Sequence, residues 1–337
     1  MPTSRASSNG PDWRPVASLA TLRLRARALQ RARAFFADRG LLEVETPQLS
    51  AAAATDLHLE SLQVWRPGGA ALGWLHTSPE FPMKRLLAAG AGDIWQLARV
   101  FRGAESGRRH NPEFTLLEWY RVGWDAAALM DEVDEFLRAV IGPENRENRG
   151  QIPIEARRLT YRDAFGTYAG FDPFEAATEE IVRQLERHGV EVPDGLGDER
   201  AACLDLAMAI LVEPALDPRQ PTFICDFPAS HAALARLKPG NPPVADRFEL
   251  FLGGMELANG FRELTDAVEQ TGRFEADLDA RRARGLVEPP MDRRLVAAMT
   301  HGLPDCAGVA LGFDRLVMLL AGAAQIDEVL AFPWGHC

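Results

Sequence analysis

Apolar and polar residues recur with two periods along the chain, and each period predicts a different element. A helical period covers the segments 18–39, 125–141, 266–284 and the residues from 292 onward. Ser18 stands before the first of these segments and Gly40 closes it, as expected for a helix cap and a helix stop. Ser78 followed by Pro79 predicts another helix start, with Gly90 as its end. The chain is therefore expected to be rich in amphipathic helices.

The second period is the two-residue alternation of half-buried strands. Consecutive strand segments are joined by short turns, and no strand–helix–strand rhythm appears. This order favours an α+β fold in which an antiparallel sheet is flanked by helices. The segments that carry the alternation are "LLEVETP", ending at Pro47, the hairpin "HLESLQVW" with "ALGWLHT", then "DIWQLARVFR", "EFTLLEWYR", "FELFLGGMELANGFREL" and "CAGVALG", which precedes a last helix from Phe313.

Composition divides the chain into an arm and one large domain. Residues 1–17 are rich in Ser, Pro and Gly and are expected to form a flexible arm. Residues 18–337 are predicted to form a single domain, in which 158–216 is a mostly helical insertion. The arginines near the N-terminus, from Arg23 to Arg33, fit either a transit peptide or a solvated helix face, and the helix face is the preferred interpretation.

Charge and cysteine content exclude some classes of protein. The net charge of −11, from 37 basic and 48 acidic residues, provides no overall attraction for nucleic acid, although a local basic patch would still be compatible with it. No apolar run is long enough for a membrane helix. The four cysteines contain no CxxC pair, so reduced thiols in a cytoplasmic protein are expected and a zinc site is not.

A cationic loop beside a strand is the first candidate for chemistry. Phe114, Leu116, Glu118 and Tyr120 alternate onto one strand face, and Arg102 lies across the "GRRHN" loop at the end of the preceding strand. If the strands pair, Arg102 and Glu118 belong to one concave surface. A structural ion pair between neighbouring strands is the alternative interpretation.

A glycine turn predicts a metal site. In "LFLGGMEL" a hairpin at Gly253 and Gly254 pairs Phe251 with Glu256, so that Glu249 lies diagonally from Glu256 on one face. Two carboxylates at this spacing suit a divalent cation such as Mg²⁺ bound with a nucleotide phosphate.

Further carboxylates predict a pocket for a cation. Asn259 and Glu263 share a face with each other, but strand parity places them opposite Glu256, so one common pocket requires a β-bulge between Glu256 and Asn259. If Glu80, Glu118 and Glu263 surround that pocket, a small molecule bearing ammonium groups would balance them. Glu80 could instead only complement a helix dipole, and the other two could face solvent.

The stretch "GVALGFDRL" places Arg315 in the first turn of a helix, where an anionic partner such as a phosphate would explain its position. A salt bridge to a neighbouring acid is the alternative. The sequence contains no GxxxxGK[ST] loop, so ATP, if bound, is not bound in the P-loop manner.

Together these segments resemble the class II aminoacyl-tRNA synthetases. "FFADRGLLEVETP" resembles motif 1, "VFRGAESGRRHNPEFTLLEWY" motif 2 and "GVALGFDRL" motif 3. "TSPEFPMKRLL" and "ELANGFREL" are similar to the lysine-specific branch, and most of all to its truncated paralogues, the elongation factor P lysine ligases. The resemblance covers residues 18 to 332 and implies a class II catalytic domain that acts as a homodimer.

The resemblance also implies a role for each residue. Arg102 would contact the α-phosphate and the substrate carboxylate, and Glu249 and Glu256 would hold Mg²⁺. Catalysis would depend on Arg102, Glu256 and Arg315. The implied ATP-binding set is Arg102, Glu105, Asn111, Phe114, Glu256, Leu257, Gly312 and Arg315, and the implied set for a lysine-type substrate is Ser78, Glu80, Glu118, Tyr120, Asn259, Glu263 and Ala310.

The chain departs from lysyl-tRNA synthetases at three points. The motif 2 glutamate lies one residue later than usual, at Glu105. Lysyl-tRNA synthetases have glycine at the position of Ala310, whereas the ligases have alanine. About 17 residues before the first helix are too few for an anticodon-binding OB-fold. The implied activity is adenylation of (R)-β-lysine or lysine with ATP and transfer to a lysine of elongation factor P, without tRNA or a membrane. The alternatives are a tRNA-charging enzyme without an anticodon domain and a catalytically inactive binding protein.

Overall fold

The computed structural model describes residues 13–142, 156–192 and 199–337, which form two sheets and the helices around them. The α-helices are α1 (Leu19–Asp38), α2 (Glu80–Ala88), α3 (Ala126–Ile141), α4 (Tyr161–Tyr168), α5 (Thr178–Arg187), α6 (Arg200–Ala207), α7 (Ala267–Ala283), α8 (Arg293–Gly302) and α9 (Phe313–Ala321). The strands are β1 (Leu42–Glu43), β2 (Leu49–Ser50), β3 (Gln63–Trp65), β4 (Ala71–Leu75), β5 (Ile94–Phe101), β6 (Glu113–Val122), β7 (Arg157–Thr160), β8 (Thr222–Pro228), β9 (Leu237–Lys238), β10 (Val244–Leu252), β11 (Met255–Arg262) and β12 (Cys306–Gly312).

The large sheet has the strand order β1-β5-β6-β12-β11-β10-β8-β7, with β9 beside β10. Its inner strands pair antiparallel, as predicted. The two outermost pairs, β1 with β5 and β7 with β8, are parallel, so the predicted antiparallel sheet is mixed at its edges. Each parallel pair joins strands that are separated along the chain by a crossover connection. The sequence pattern showed only neighbouring strands joined by short turns, so it did not reveal these pairs.

One face of the large sheet is sealed by α1, α3 and α9 around an aromatic cluster. Phe36 stacks on Trp95 with ring centroids 4.8 Å apart, and it also packs against Trp119 and Phe136 at 5.3 and 5.5 Å. These rings come from odd-numbered strand positions and from helices. The even-numbered positions of β5, β6 and β12 therefore face away from this core, toward the opposite side of the sheet.

The helices α4 to α6 pack on β8 and β10 through a second core that includes Tyr161, Phe165 and Phe227. Short π-helical and 3₁₀ turns continue α6 to Ala215. The described residues of the segment, 158–192 and 199–216, are therefore mostly helical, although the first of them belong to β7 and lie in the sheet.

Most element boundaries agree with the sequence. Ser18 caps α1 by accepting a hydrogen bond from Thr21 N at 3.1 Å, and the α3 and α7 boundaries lie within one residue of the predicted ones. The strand predicted to end at Pro47 is reduced to β1, and Pro79, not Ser78, is the cap residue of α2. Ser78 Oγ nevertheless accepts a hydrogen bond from Glu80 N at 3.0 Å.

The predicted flexible arm lies largely outside the described residues. Of its described part, Val16 N and Ala17 N donate hydrogen bonds to Ala331 O and Leu330 O, so these two residues are held against the C-terminal segment. The prediction that the arginines of α1 form a solvated face was wrong for Arg25, which pairs with Asp314 and donates to Thr115 Oγ1 at 2.7 Å. Within the described ranges, no helix is both long and apolar enough to cross a membrane.

Candidate active site

The β5–β6 pair places the predicted side chains on the face opposite the aromatic core. Gln96 lies opposite Glu118, and Val100 lies opposite Phe114. The alternative interpretation of a cross-strand Arg102–Glu118 ion pair is wrong, because Arg102 donates instead to Glu105 at 3.1 Å. Glu118 is available for the other groups that surround it.

The β10–β11 hairpin contains the bulge that a common pocket requires. Gly253 and Gly254 form the turn with positive φ angles of 68° and 70°, as a tight hairpin needs. Phe251 pairs with Glu256, yet Leu250 pairs with Ala258, which leaves Leu257 as the additional residue. The shift turns the strand over, so that the side chains after the bulge face the same side as Glu256.

The carboxylate of Glu118 is the centre of a side-chain group between α2, β6, β11 and β12, which is the predicted amino-acid pocket. It accepts hydrogen bonds from Ser78 Oγ at 2.7 Å and Tyr120 Oη at 2.6 Å. Only 2% of Glu118 and 1% of Glu263 is exposed, so the alternative that they face solvent is wrong. Two fixed donors hold Glu118 in one orientation.

Lys84, which the sequence did not single out, joins the other two carboxylates. Its Nζ lies 2.6 Å from Glu80 Oε1 and 2.5 Å from Glu263 Oε2. Burial alone would lower the pKa of Lys84, but Glu263 and Glu80 together raise it above its ordinary value. Lys84 is therefore charged, and Glu80 does more than complement the dipole of α2.

Burial raises the pKa of both inner carboxyl groups. The pKa of Glu118 is raised to about 7 by burial and by the charge of Glu80, despite the hydrogen bonds from Tyr120 and Ser78. The pKa of Glu263 is raised to about 8 by burial, although Lys84 opposes the shift. The pocket thus lacks enough positive charge for its carboxylates, which is the condition that a bound ammonium group would relieve.

The floor of the pocket consists of small residues on β12. Ala310 pairs with Glu118 on one side and with Asn259 on the other. A Cβ atom on Gly308 would overlap the ring of Tyr120 and Glu263 Oε1. Glycine at this position leaves space for both side chains, and the methyl group of Ala310 faces the pocket beside them.

The second half of the site is more open and carries the predicted nucleotide residues. The guanidinium of Arg102 lies 5.0 Å from the centre of the Phe114 ring, and its Nε is buried with no hydrogen-bond partner among the described residues. Arg315 Nη1 donates to Glu256 O at 2.7 Å, and its Nη2 lies 2.7 Å from His110 Nε2. A guanidinium can only donate, so His110 Nε2 accepts in this contact, and burial and Arg315 lower the pKa of His110.

The remaining nucleotide residues lie around these groups with different partners. Leu257 is the bulge residue, whose backbone is released from the regular ladder. Gly312 precedes α9 and has Arg315 side-chain atoms beside it. Asn111 donates to Glu113 O at 2.6 Å and accepts from Trp334 N at 2.9 Å. Its side chain holds the C-terminal segment, and its contact with adenine remains a prediction.

Glu249 and Glu256 line one cavity of about 150 Å³ beside the insertion helices, together with Asp205 and Glu213. Arg247, another residue that the sequence did not indicate, lies 2.5 Å from Glu249 Oε1 and 3.2 Å from Asn259 Oδ1. Burial raises the pKa of Glu249 to about 8 even though Arg247 opposes the shift.

No group of three or more metal-ligating side chains occurs in the described parts of the chain. Two carboxylates still suit Mg²⁺, which commonly takes one or two from the protein and the rest from phosphates and water.

The structure therefore brings the predicted residues into two adjoining regions of one sheet face. It adds three residues with partners distant in sequence: Lys84, Arg247 and Asp314. Asp314 accepts from Thr115 N at 2.7 Å and fixes the start of α9 on β6. The buried position of a charged residue inside "MKRLL" or "FDRL" could not be read from local pattern alone, because each segment is equally compatible with an exposed charge.

This sheet, its bulged hairpin and the paired amino-acid and nucleotide regions are those expected of a class II synthetase. The family model for class II tRNA synthetases (D, K and N) matches residues 4–335, and the chain belongs to this family.

Among its relatives, the chain is 48% identical over 327 residues to the elongation factor P--(R)-beta-lysine ligase of Vibrio cholerae serotype O1, covering 96% of this chain and 98% of that protein. It is 46% identical over 333 residues to the protein of the same name from Yersinia enterocolitica, covering 98% and 99%. The Proteus mirabilis ligase is 47% identical over 329 residues, covering 96% and 97%.

Proposed function

We propose that this protein is an ATP-dependent ligase that activates (R)-β-lysine, or lysine, as an aminoacyl-adenylate and transfers it to a lysine side chain of elongation factor P. The observation that carries the proposal is the group of three carboxylates on a class II synthetase sheet, in which Glu118 and Glu263 are buried and Glu80 is 17% exposed. The names of relatives that match almost the whole chain support the same acceptor and amino acid.

The amino-acid pocket suits a substrate with two ammonium groups. Glu118 is oriented by Ser78 and Tyr120, and Asn259 lies across Ala310 from it. In the proposed complex, Glu80, Glu118 and Glu263 accept hydrogen bonds from the two ammonium groups. The hydrogen bonds are charge-assisted and lie in a dry site, where they are stronger than in water.

Arg102 and Arg315 are the proposed partners of the ATP phosphates. The substrate carboxylate attacks the α-phosphorus and pyrophosphate leaves, while Arg102 holds the α-phosphate and the carboxylate in contact. Phe114 provides an aromatic face for adenine, and the backbone at Leu257 and Gly312, with Asn111 and Glu105, borders the base. When bound, Mg²⁺ would neutralise phosphate charge, and Glu249 and Glu256 are the residues that would hold it.

In the second step the ε-amine of the acceptor lysine attacks the carbonyl carbon of the adenylate, and AMP leaves. The amine must first lose its proton. Desolvation of the acceptor side chain during docking would lower its pKa and favour the neutral form. The amide bond that forms links the acceptor nitrogen to the former carboxyl carbon of the diamino acid.

The choice of isomer is assigned to Ala310. Its methyl group faces the pocket between Glu118 and Asn259, where it takes up the space next to the α-carbon side of a bound amino acid. A single methyl group in such a pocket discriminates by about 1–3 kcal/mol. The proposal is that the methyl group disfavours α-lysine and admits an isomer whose amino group is moved by one carbon.

We propose further that the protein is a cytoplasmic homodimer that does not charge tRNA. Exposed Leu42 and Leu49 follow α1, the region through which class II enzymes are expected to form a two-fold interface. The cytoplasm is where a translation factor would be modified. Light scattering of the purified protein at micromolar concentration tests the dimer.

The deciding experiment is the intact mass of elongation factor P after incubation with the protein, ATP, Mg²⁺ and either α-lysine or (R)-β-lysine, beside a parallel reaction with tRNA. The proposal predicts addition of one lysyl mass to the protein acceptor, with more product from the β isomer. Charging of tRNA without modification of the protein would instead identify a tRNA synthetase.

A further inference from the structure

We infer that Lys84 is a specificity-determining positioning residue: its ammonium group is a permanent part of the amino-acid pocket that fixes the pocket's charge and directs one oxygen of Glu80 and one of Glu263 to the substrate. The inference rests on the proposed function, because it concerns the same pocket. It assigns a role to a residue that is expected to contact the carboxylates and not the reacting atoms.

The position of Lys84 excludes an ordinary surface pair. Only 1% of its side chain is exposed, and its two carboxylate partners come from different elements, Glu80 from the same helix and Glu263 from the residue after β11. Its Nζ also lies 5.5 Å from the centre of the Phe261 ring. A lysine that is fully removed from water is stable only if its charge is matched by well-placed partners.

Lys84 contacts one oxygen of each of its two carboxylate partners and leaves the other oxygen of each for a ligand. Glu80 contacts Lys84 through Oε1 and Glu263 through Oε2. Both oxygens of Glu263 are buried without a hydrogen bond among the described residues; the charge of Oε2 is compensated by its ion pair with Lys84, which leaves Oε1. A buried acceptor without a donor is costly, so this oxygen is well placed to accept from a ligand. Lys84 thereby determines which oxygen remains for the substrate.

Counting charges explains why a resident cation favours a diamino acid. With Glu80, Glu118 and Glu263 ionised, the ammonium of Lys84 leaves the pocket with two net negative charges, which two substrate ammonium groups balance. An amino acid with a single ammonium group would leave one buried carboxylate without compensation. Without Lys84 the same substrate would leave one buried negative charge without compensation.

The test uses Lys84→Met, which removes the charge and keeps the approximate volume. Pyrophosphate exchange is measured with (R)-β-lysine and with lysine, at varied amino-acid and ATP concentrations. We expect kcat/KM for the diamino acid to fall about 10- to 100-fold, as for loss of a charged hydrogen bond, while KM for ATP stays within about twofold. Lys238→Met is the matched control, because Lys238 also joins two carboxylates, Asp226 and Asp246, away from the pocket. It should leave both constants unchanged.

The pH profile separates charge from packing. The titratable groups that face Glu263 are Lys84 and Glu80 on α2, Glu118 and Tyr120 on β6, and Cys306 on β12. Removing the ammonium removes attraction that favours ionised Glu263. The pH at which kcat/KM for the diamino acid reaches its plateau should therefore rise by about one unit or more in Lys84→Met. A loss of packing alone would lower the plateau without moving it.

A second variant tests the charge by chemical rescue. Lys84→Ala leaves space for a small ligand, and n-butylammonium in the buffer should restore part of the activity, whereas n-butanol, which has the same length and no charge, should not. Equal rescue by both, or an unchanged pH profile and KM in Lys84→Met, would overturn the inference. The unmodified protein is assayed first. If it supports no exchange with either diamino acid, the proposed function fails, and this result is distinct from a failure of the inference about Lys84.

Discussion

The amino-acid pocket and the nucleotide region share one sheet face but are built differently. In the pocket, Glu118, Glu263 and Lys84 are almost entirely buried, and their partners are other side chains of the same group. In the nucleotide region, between a fifth and two fifths of the side chains of Arg102, Arg315 and Glu256 remains exposed. Arg315 donates to two backbone carbonyls there, Glu256 O and Arg109 O, and its Nη1 lies 4.0 Å from Glu256 Oε2.

The difference indicates how the two substrates are selected. In the proposed complex, a small diamino acid is recognised by a pocket whose side chains are already held by one another before binding, which reduces the ordering that binding requires. ATP carries its own charges, so the proposed nucleotide region needs side chains that can exchange their present partners for phosphates. Substitutions in the first region should therefore affect selectivity, and those in the second should affect the adenylation step with every substrate.

The largest effect is expected from Arg102→Met. Loss of the guanidinium removes the partner proposed for the α-phosphate, so the rate of pyrophosphate exchange should fall by about 10²- to 10³-fold with both lysine isomers. Arg99→Met, three residues earlier in β5 and about half exposed, is the control and should retain full activity. A fall confined to one isomer would place Arg102 in the selective pocket and contradict the comparison.

Glu118→Gln should have the next largest effect. The amide keeps the shape but replaces an acceptor oxygen with a donor beside Ser78 and Tyr120, so kcat/KM for the diamino acid should decrease by about 10- to 100-fold. KM for ATP should change little. Glu113→Gln, on the opposite face of β6, provides the matched control. An equal change in both Michaelis constants would mean that the two regions are not independent.

The raised pKa values predict opposite effects of pH on binding and on stability. Diamino-acid activation should increase by up to about tenfold per pH unit as the pH rises toward 7–8, because Glu118 and Glu263 must ionise to bind ammonium groups. Unfolding behaves in the reverse way. In folded protein these groups and Glu249 retain protons that the unfolded chain releases near pH 4.5, so the free energy of unfolding should fall between pH 5 and 8.

Thermal denaturation of the ligand-free protein measures this decline, and the Glu118→Gln variant should show a smaller one. Added (R)-β-lysine should raise Tm more at pH 8 than at pH 6. A ligand-induced shift that is the same at both values would show that the carboxyl groups are already ionised at pH 6.

The smallest of these effects is expected from Ala310→Gly. Removing one methyl group from the pocket floor should change the ratio of kcat/KM values for (R)-β-lysine and α-lysine by about tenfold in favour of α-lysine, with Tm almost unaltered. Parallel pyrophosphate exchange assays with the two isomers provide the measurement. If the ratio stays constant while both values fall, Ala310 supports packing and another residue selects the isomer.

Sequence reasoning was sufficient where a local pattern determines geometry. The alternation in β6 and the glycine pair at Gly253 indicated which side chains share a face. Parity required a bulge between Glu256 and Asn259 if one pocket was common to both sets, and the structure has that bulge at Leu257. It was insufficient where the partner comes from distant sequence. Lys84 meets Glu263 across 179 positions, and only tertiary packing determines that contact. The parallel edge strands escaped prediction for the same reason.

Because Leu257 has no partner on β10, the faces that the residues before and after it occupy depend on the number of residues in β11 and not on their side-chain chemistry. Before this residue the alternation of β11 follows the turn at Gly253 and Gly254, and after it the alternation is inverted. Deleting one residue here would keep every functional side chain and still send Glu256 to the face of the sheet opposite Asn259 and Glu263. A single additional residue therefore brings Glu256 into phase with Asn259 and Glu263.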